Sequence, residues 1–533
     1  MHTLDSGTQG TAVVEDTTAM AVVERRKLQK SLRRFDMLFF TLCALIGLDT
    51  LGQVSSYGAV TFSWLVILAF LFVVPYALLM AEVGSAFTQE GGPYEWMKLA
   101  LGRFLAAIGA VLYWITTPVW VGGSLAFIAT DAWSAHIHPI GSGWTIGNVV
   151  FKLSFIWISI AVAIVALRYG KWIPNIGAVV RVGVLAFFSV TVLIYAAEHG
   201  VHGYSSAGDF NPFALAAFLG LAPLLLFNYV GFELQNGAAE EMQQPQRDVP
   251  FTVLRSAVLT ALAYCIPVFG IVAVLPAQKI SGISGFLDAV GQTFAVYGSA
   301  GHILTQVMTF GFIFAVLTSG SVWIIGSDRI LAVAAYDGAF PAYFGRFHST
   351  LGTPVRVNVM SGVIGTVFCG FAVWLLSGSQ ADTFLVVLYL ATSATLLGYL
   401  LMFPAVPILR RKFPDATRPY RVPGGMAGVV AATSLCVFWM ALGSWVAIFP
   451  GSLNHVLGSS FSMQEAYGVS WARFEAFTLG TLVVMLLIAV VGYVLAAPTR
   501  RSRVRVPLDA TAEPQPELKA EPATLTARPH GGV

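Results

Sequence analysis

Read for hydrophobicity alone, the chain is a series of long apolar runs separated by short polar connections. About twelve runs supply the roughly 20 apolar residues needed to cross the hydrocarbon core of a bilayer. They fall at approximately 35–60, 63–88, 102–131, 149–168, 173–197, 212–240, 251–276, 302–335, 357–378, 382–409, 426–449 and 474–497. Each is long and nearly continuous, whereas barrel strands are short and alternate in polarity, so the pattern predicts helices. The expected fold class is an all-α polytopic membrane protein with about 12 transmembrane helices. The connection from Ala277 to Gly301 is long enough for a short interfacial helix.

Composition agrees: of 533 residues, 56% are hydrophobic and only 11% charged, and that excess of apolar surface needs lipid as its solvent. The net charge of +3 gives no basic patch for nucleic acid, and Lys and Arg sort instead by membrane side. One set of connections holds Lys98, Arg103, Arg168, Lys171, Arg247, Arg255, Arg346, Arg356 and the run Arg410, Arg411, Lys412, Arg418 and Arg421. The other set holds little beyond Lys152, Lys279 and Arg473. By the positive-inside rule both termini face the cytoplasm, in a plasma membrane protein. Residues 1–34, ending in the cluster Arg25 to Arg34, have no cleavable signal core and read as a cytoplasmic tail. Residues 498–533 turn Ala/Pro/Glu-rich and read as a disordered tail. Cys43, Cys265, Cys369 and Cys436 lie in apolar runs without CxxC or Cys/His pairing, so no metal site or cofactor is indicated.

Two spans contain stretches that an uninterrupted membrane helix avoids, and they lie five helices apart. In span 1 the run is Ile46-Gly47-Leu48-Asp49-Thr50-Leu51-Gly52; in span 6, Pro223 precedes Phe227-Asn228-Tyr229-Val230-Gly231-Phe232-Glu233. Glycine lets the backbone leave helical geometry, and unwound backbone at this depth survives only where protein buries it or where it lines a cavity. Free N–H groups at a half-helix start suit an anion, and freed carbonyls suit an ammonium. Close helix packing by small residues is the other reading of these glycines. Matching interruptions in two halves point to a transport site for a small solute.

The order of motifs resembles the amino acid/polyamine/organocation transporter superfamily from span 1 to span 12. Ala81-Glu82-Val83-Gly84-Ser85-Ala86-Phe87 leads to Glu90-Gly91-Gly92-Pro93-Tyr94, similar to that family's first cytoplasmic loop. Ala239-Glu240-Glu241 through Pro245-Gln246-Arg247-Asp248-Val249-Pro250 resembles its AEE…NPxRxxP stretch. Asp328-Arg329-Ile330-Leu331, Asp337-Gly338-Ala339-Phe340-Pro341, His348 and Thr353-Pro354 follow span 8 in the family pattern. Leu409-Arg410-Arg411-Lys412-Phe413-Pro414-Asp415 and Arg418-Pro419-Tyr420-Arg421-Val422-Pro423-Gly424 follow span 10. The resemblance implies a core at 35–409 with inverted repeats at about 35–200 and 210–409, a LeuT-like 5+5 arrangement. A loop and peripheral helices occupy 410–497. It places substrate between broken helices 1 and 6, against Gly47, Asp49, Thr50, Gly52, Phe227, Asn228, Val230 and Gly231. By the same matching, Phe227 and Tyr113 fall at gating aromatics and Trp323 at a substrate-stacking tryptophan. The family's usual GxGIF-like turn is replaced here by Gly47-Leu48-Asp49-Thr50-Leu51-Gly52, so carboxylate recognition by that backbone does not simply carry over.

An ionisable side chain at mid-bilayer costs at least a few kcal/mol and requires a partner or a purpose. Glu233 either couples protonation to transport or stands as a neutral acid bonded to span 1 backbone. Arg181 in span 5 either serves as a fixed cation in place of sodium, as the resemblance suggests, or snorkels to the cytoplasmic surface. Asp49 has three available roles: substrate amine, Arg181, or a cap for the second half of helix 1. The leading expectation is a proton-linked or exchange carrier for an amino acid, with a polyamine or other cationic amine as the alternative. No continuous polar pore suggests a channel, and no HExxH, GxSxG or paired motif suggests an enzyme.

Overall fold

The computed structural model describes residues 14–165, 172–213, 215–277, 280, 285–375, 380–454 and 456–507. Arg168, Lys171 and Lys279 of the charge pattern lie outside them, as do 1–13 and 508–533. Ten described helices are long and apolar enough to cross a membrane: Ala59–Ala86, Arg103–His136, Ile146–Val165, Trp172–His199, Pro245–Val274, Ala300–Tyr336, Val355–Trp374, Phe384–Lys412, Gly425–Ile448 and Trp471–Leu495. The chain is thus all-α and polytopic. The two remaining apolar runs, spans 1 and 6, are the interrupted ones. Span 1 is divided into Arg34–Leu45 and Leu51–Ser55, and span 6 into Leu215–Asn228 and the 3-10 stretch Leu234–Glu241.

Span 6 follows its sequence. Gly231 adopts φ +119°, a conformation L side chains rarely hold, so the helix ends before it. A Cβ there would also stand 2.9 Å from the Trp323 ring. The segment between spans 7 and 8 forms the helix Gly285–Thr293, which packs on Leu51–Ser55 and so covers the second half of span 1. Span 3 widens to a π-helix at Val121–Leu125 and span 2 at Ala69–Val73; such bulges are frequent at functional sites.

Two expectations need correction. Lys152 does not sit in a loop: it lies in Ile146–Val165, 2% exposed, its Nζ 3.8 Å over the Phe127 ring. The region from 498 does not begin disordered: Ala497–Arg500 is helical, and Arg503–Pro507 pairs antiparallel with Val14–Thr18. The alternating Arg503-Val504-Arg505-Val506 carries strand periodicity, and each strand supplies the other's missing ladder partners. Because the two terminal segments pair, both ends of the membrane domain emerge on one face.

Candidate functional site

The break in span 1 is held open by a neighbour. Tyr264 of span 7 accepts the Gly47 N–H at 2.8 Å and donates its hydroxyl to Leu45 O at 2.9 Å, satisfying backbone groups that helix termination would orphan. A Cβ on Gly47 would come within 2.7 Å of Asp49 Oδ1. A methyl group at 47 would therefore displace the Asp49 carboxylate from this position. Asp49 is 2% exposed, and its Oδ2 has no hydrogen-bond partner. The Trp120 indole of span 3 lies beside that carboxylate without good bonding geometry, leaving Trp120 Nε1 unpartnered as well.

Thr50 ties the two breaks together, donating to Asn228 Oδ1 at 2.7 Å and leaving Asn228 Nδ2 unpartnered. Around this junction stand aromatic rings: Trp120 against Phe227 at 5.8 Å and against Trp323 at 6.3 Å, and Tyr113 against Trp323 at 6.1 Å. Trp323 spends its N–H on Ala44 O at 3.0 Å, which fixes the ring and leaves its face for packing.

Just past the span 6 break, Glu233 is fully buried and gripped by three tyrosines. Oε1 accepts from Tyr113 at 2.5 Å and Tyr399 at 2.6 Å, and Oε2 accepts from Tyr76. Tyr76 also accepts the Gly231 N–H at 3.0 Å and lies 3.2 Å from the Tyr399 hydroxyl. The partners come from spans 2, 3 and 10, not from span 1 backbone as the neutral-acid reading expected. The set satisfies two protonation states. Ionised, the carboxylate accepts from all three hydroxyls; protonated, Oε2–H donates to Tyr76, whose own proton turns to Tyr399.

Arg181 is fully buried and does not snorkel. Its guanidinium donates to Ile46 O at 2.8 Å, Gly177 O at 3.0 Å, Ala315 O at 2.9 Å and Thr318 Oγ1 at 3.1 Å, and also to Cys43 O. It thus binds the carbonyl end of the first half-helix to span 8, where a helix dipole favours positive charge. Among the described residues no carboxylate forms an ion pair with it.

On the face that carries the termini, Arg329 holds two carboxylates, Glu90 at 2.6 Å and Glu241 at 2.9 Å, and reaches Gly352 O at 2.6 Å. Burial first, then the neighbouring carboxylates, push the Glu90 carboxyl up to about 8, against the pull of Arg329. Asp337 is held below its ordinary value: burial is outweighed by Lys98 and Arg103 beside it and by the Tyr94 hydroxyl. This cluster seals the site from that side.

The structure therefore brings Gly47, Asp49, Thr50, Phe227, Asn228, Gly231, Tyr113, Trp323 and Glu233 to one junction, with Val230 buried inside the break. Gly52 is placed elsewhere. A Cβ on it would meet Gly285 Cα and Phe286 N, both at 2.7 Å, so it is a packing glycine against the helix Gly285–Thr293. Tyr113 differs from a free gate, since its hydroxyl is committed to Glu233. Sequence reasoning missed Tyr76, Tyr399, Tyr264 and Trp120. Their only signal was a polar-tipped aromatic inside an apolar span, which packing explains equally well.

Comparison with known proteins gives one consistent picture. The profile of a family described as amino acid permease matches residues 32–471. A probable agmatine/putrescine antiporter of Lactococcus lactis is 26% identical over 412 residues, covering 76% of this chain and 86% of that protein. An uncharacterized transporter of Legionella pneumophila is 31% identical over 413 residues, 74% of this chain and 85% of its own length. A branched-chain amino acid permease of Bacillus subtilis is 24% identical over 460 residues, 82% and 92% respectively.

Proposed function

The chain belongs to the amino acid permease family and is a membrane transporter for amino acids or amines; from that premise we propose that it is a proton-linked carrier working by alternating access. Substrate sits between the two breaks, against Asp49, Thr50, Asn228 and the rings of Phe227, Trp120 and Trp323. The two halves of the core act as inverted repeats that rock about this point. The proposal is supported by two interruptions that meet, through Thr50 and Asn228, at one junction.

The observation that carries the coupling is the three-tyrosine grip on Glu233. Its hydroxyls can rearrange without orphaning a buried group, so the carboxylate can gain or lose a proton at little structural cost. Gly231, which hinges span 6, donates to the same Tyr76 that turns when Glu233 is protonated. Protonation is thereby linked to the break. Arg181 stands as a permanent cation among carbonyls of spans 1 and 8, which supports transport without sodium; an arginine remains charged and so holds no part in the proton step. The basic connections and paired termini support a cytoplasmic location for both ends, in a plasma membrane.

Uptake into proteoliposomes across imposed pH gradients tests the coupling. Wild-type protein should respond to an inward proton gradient and to external pH; Glu233→Gln should retain exchange while losing both responses. Unaltered pH dependence in the glutamine variant would remove Glu233 from the mechanism.

A further inference from the structure

We infer that the face carrying the termini holds a seat for a phospholipid with a net negative headgroup, at the seam where spans 1 and 7 begin, with Arg255 and Arg34 as its phosphate ligands. The seat lies apart from the substrate junction, and its occupancy is independent of what the carrier moves.

The seam is built around one ring. Phe251, in the first turns of span 7, has the Arg255 guanidinium 3.7 Å from its centroid and that of Arg34 at 4.6 Å. Phe35 meets the same ring edge-on at 6.1 Å and is 61% exposed. Two like charges are thereby gathered at one aromatic, and only one of them is neutralised. Arg34 pairs with Asp248 at 2.8 Å, whereas Arg255, among the described residues, reaches only Phe251 O at 3.5 Å. Arg33, next to Arg34, and Arg247, one helical turn before Phe251, are both exposed. Among the described residues no carboxylate pairs with either side chain. The remaining acid, Asp36, accepts from Asn175 Nδ2 at 3.1 Å and from the Arg33 N–H at 3.1 Å. Four arginines therefore meet two aspartates, and the seam is left positive.

Position selects the ligand. From Arg255, helical steps of three and four reach Val258, Leu262 and Ile266, each at least 49% exposed, a stripe that runs along span 7 into the hydrocarbon. Arg255 stands where that stripe ends, so acyl chains lying on the stripe bring their phosphate to the guanidinium. Arginine holds phosphate through a planar fork of N–H donors, and a phosphate at the Phe251 edge can take bonds from both groups. A choline headgroup would set its own cation against Arg33 and Arg247; a net negative headgroup does not. By contrast, Arg410 on the same face is already paired with Glu82, and Lys412 donates to Leu99 O. Once bound, the headgroup ties the start of the half-helix Arg34–Leu45 to span 7.

Thermal midpoints of the full-length protein in a neutral detergent test this, with phosphatidylglycerol, phosphatidylcholine of the same acyl chains, or inorganic phosphate added. Phosphatidylglycerol should raise the midpoint saturably, and the other two should not. Arg255→Gln should weaken the apparent affinity for phosphatidylglycerol by about fivefold, and adding Arg33→Gln should weaken it further. Arg255→Lys, which keeps the charge and loses the fork, should recover only part of the loss. Arg473→Gln removes an exposed cation at the start of span 12, on the other face, and should change nothing. An equal response to phosphatidylcholine would reduce the seat to general lipid contact, and an equal response to inorganic phosphate would make it a free-anion site. Undiminished affinity in Arg255→Gln would place the lipid elsewhere. Each of these three results overturns the inference, and the wild-type comparison of lipids decides even without a variant.

Discussion

Tyr264 and Gly47 form the contact that keeps span 1 open: one hydroxyl accepts the glycine N–H at 2.8 Å and donates to Leu45 O at 2.9 Å. In the lipid-embedded part of a protein such backbone groups find no water. Tyr264→Phe keeps the ring and removes both bonds, leaving the Gly47 N–H only its 3.1 Å contact with Leu45 O. The expected cost is about 1–3 kcal/mol. Thermal denaturation in detergent should show a lowered midpoint, with transport reduced further than stability because the turn also aims Asp49. An unchanged midpoint and rate would mean the break is stable without its tether.

Gly231 should tolerate no side chain. At φ +119° an alanine pays a backbone strain of order 1–3 kcal/mol, and its methyl meets the Trp323 ring. Gly231→Ala should abolish exchange while the purified protein stays monodisperse. Gly183, where a Cβ would meet nothing within 4 Å, is the control: Gly183→Ala should transport normally. Equal activity in the two variants would show that the span 6 conformation is not required.

Much of this architecture was legible because membrane solvation writes it into the sequence. Runs of apolar residues must be helices, and Gly47 and Gly231 mark where the backbone departs from helix for the same reason. The partners were not legible. Glu233 is bound by hydroxyls from residues 76, 113 and 399, which are brought together only by tertiary packing. Arg181 read equally well as a snorkelling cation, because its position relative to span 1 carbonyls depends on how span 5 leans, which periodicity does not encode. Gly52 shared the sequence signature of Gly47, and only the helix Gly285–Thr293 against it reveals a packing role.

The Arg329 cluster should make the terminal-side seal sensitive to pH. Burial raises Glu90 above the ordinary glutamate value, so between about 4.5 and about 8 the closed state binds more protons than an open one in which Glu90 meets water. By linkage, closure is favoured at the low end of this window and weakens as pH rises through it. Glu90→Gln should flatten that dependence and hold the seal at pH 8, whereas Arg329→Gln, which takes from Glu90 and Glu241 their shared partner, should open it at neutral pH. Hydrogen exchange of the segment 87–91 between pH 5 and 8 reads the effect. Protection that increases with pH would contradict the linkage, since it would require the open state to bind more protons than the closed one.

The paired terminal strands bear on the same seal. Thr17 Oγ1 donates to Asp337 Oδ1 at 3.0 Å, Thr18 Oγ1 to Tyr336 O at 2.5 Å, and Arg500 Nη1 to Gly338 O at 2.7 Å. Both terminal segments thus grip the turn that ends span 8, about two turns beyond Arg329. Residues 17 and 18 are fully buried, so the hold is packed as well as hydrogen-bonded. Opening toward the terminal face must move that turn, because Asp337 also binds Lys98 and Arg103 at the start of span 3. Deleting residues 1–18 removes one strand and leaves the other without its ladder. A cysteine replacing buried Ser327, in a background lacking the four native cysteines, reports the consequence. Its modification by a membrane-impermeant thiol reagent added from the terminal side should quicken several-fold in the deletion, with substrate exchange retained. Unchanged modification rates would show that the Arg329 cluster alone keeps this face shut.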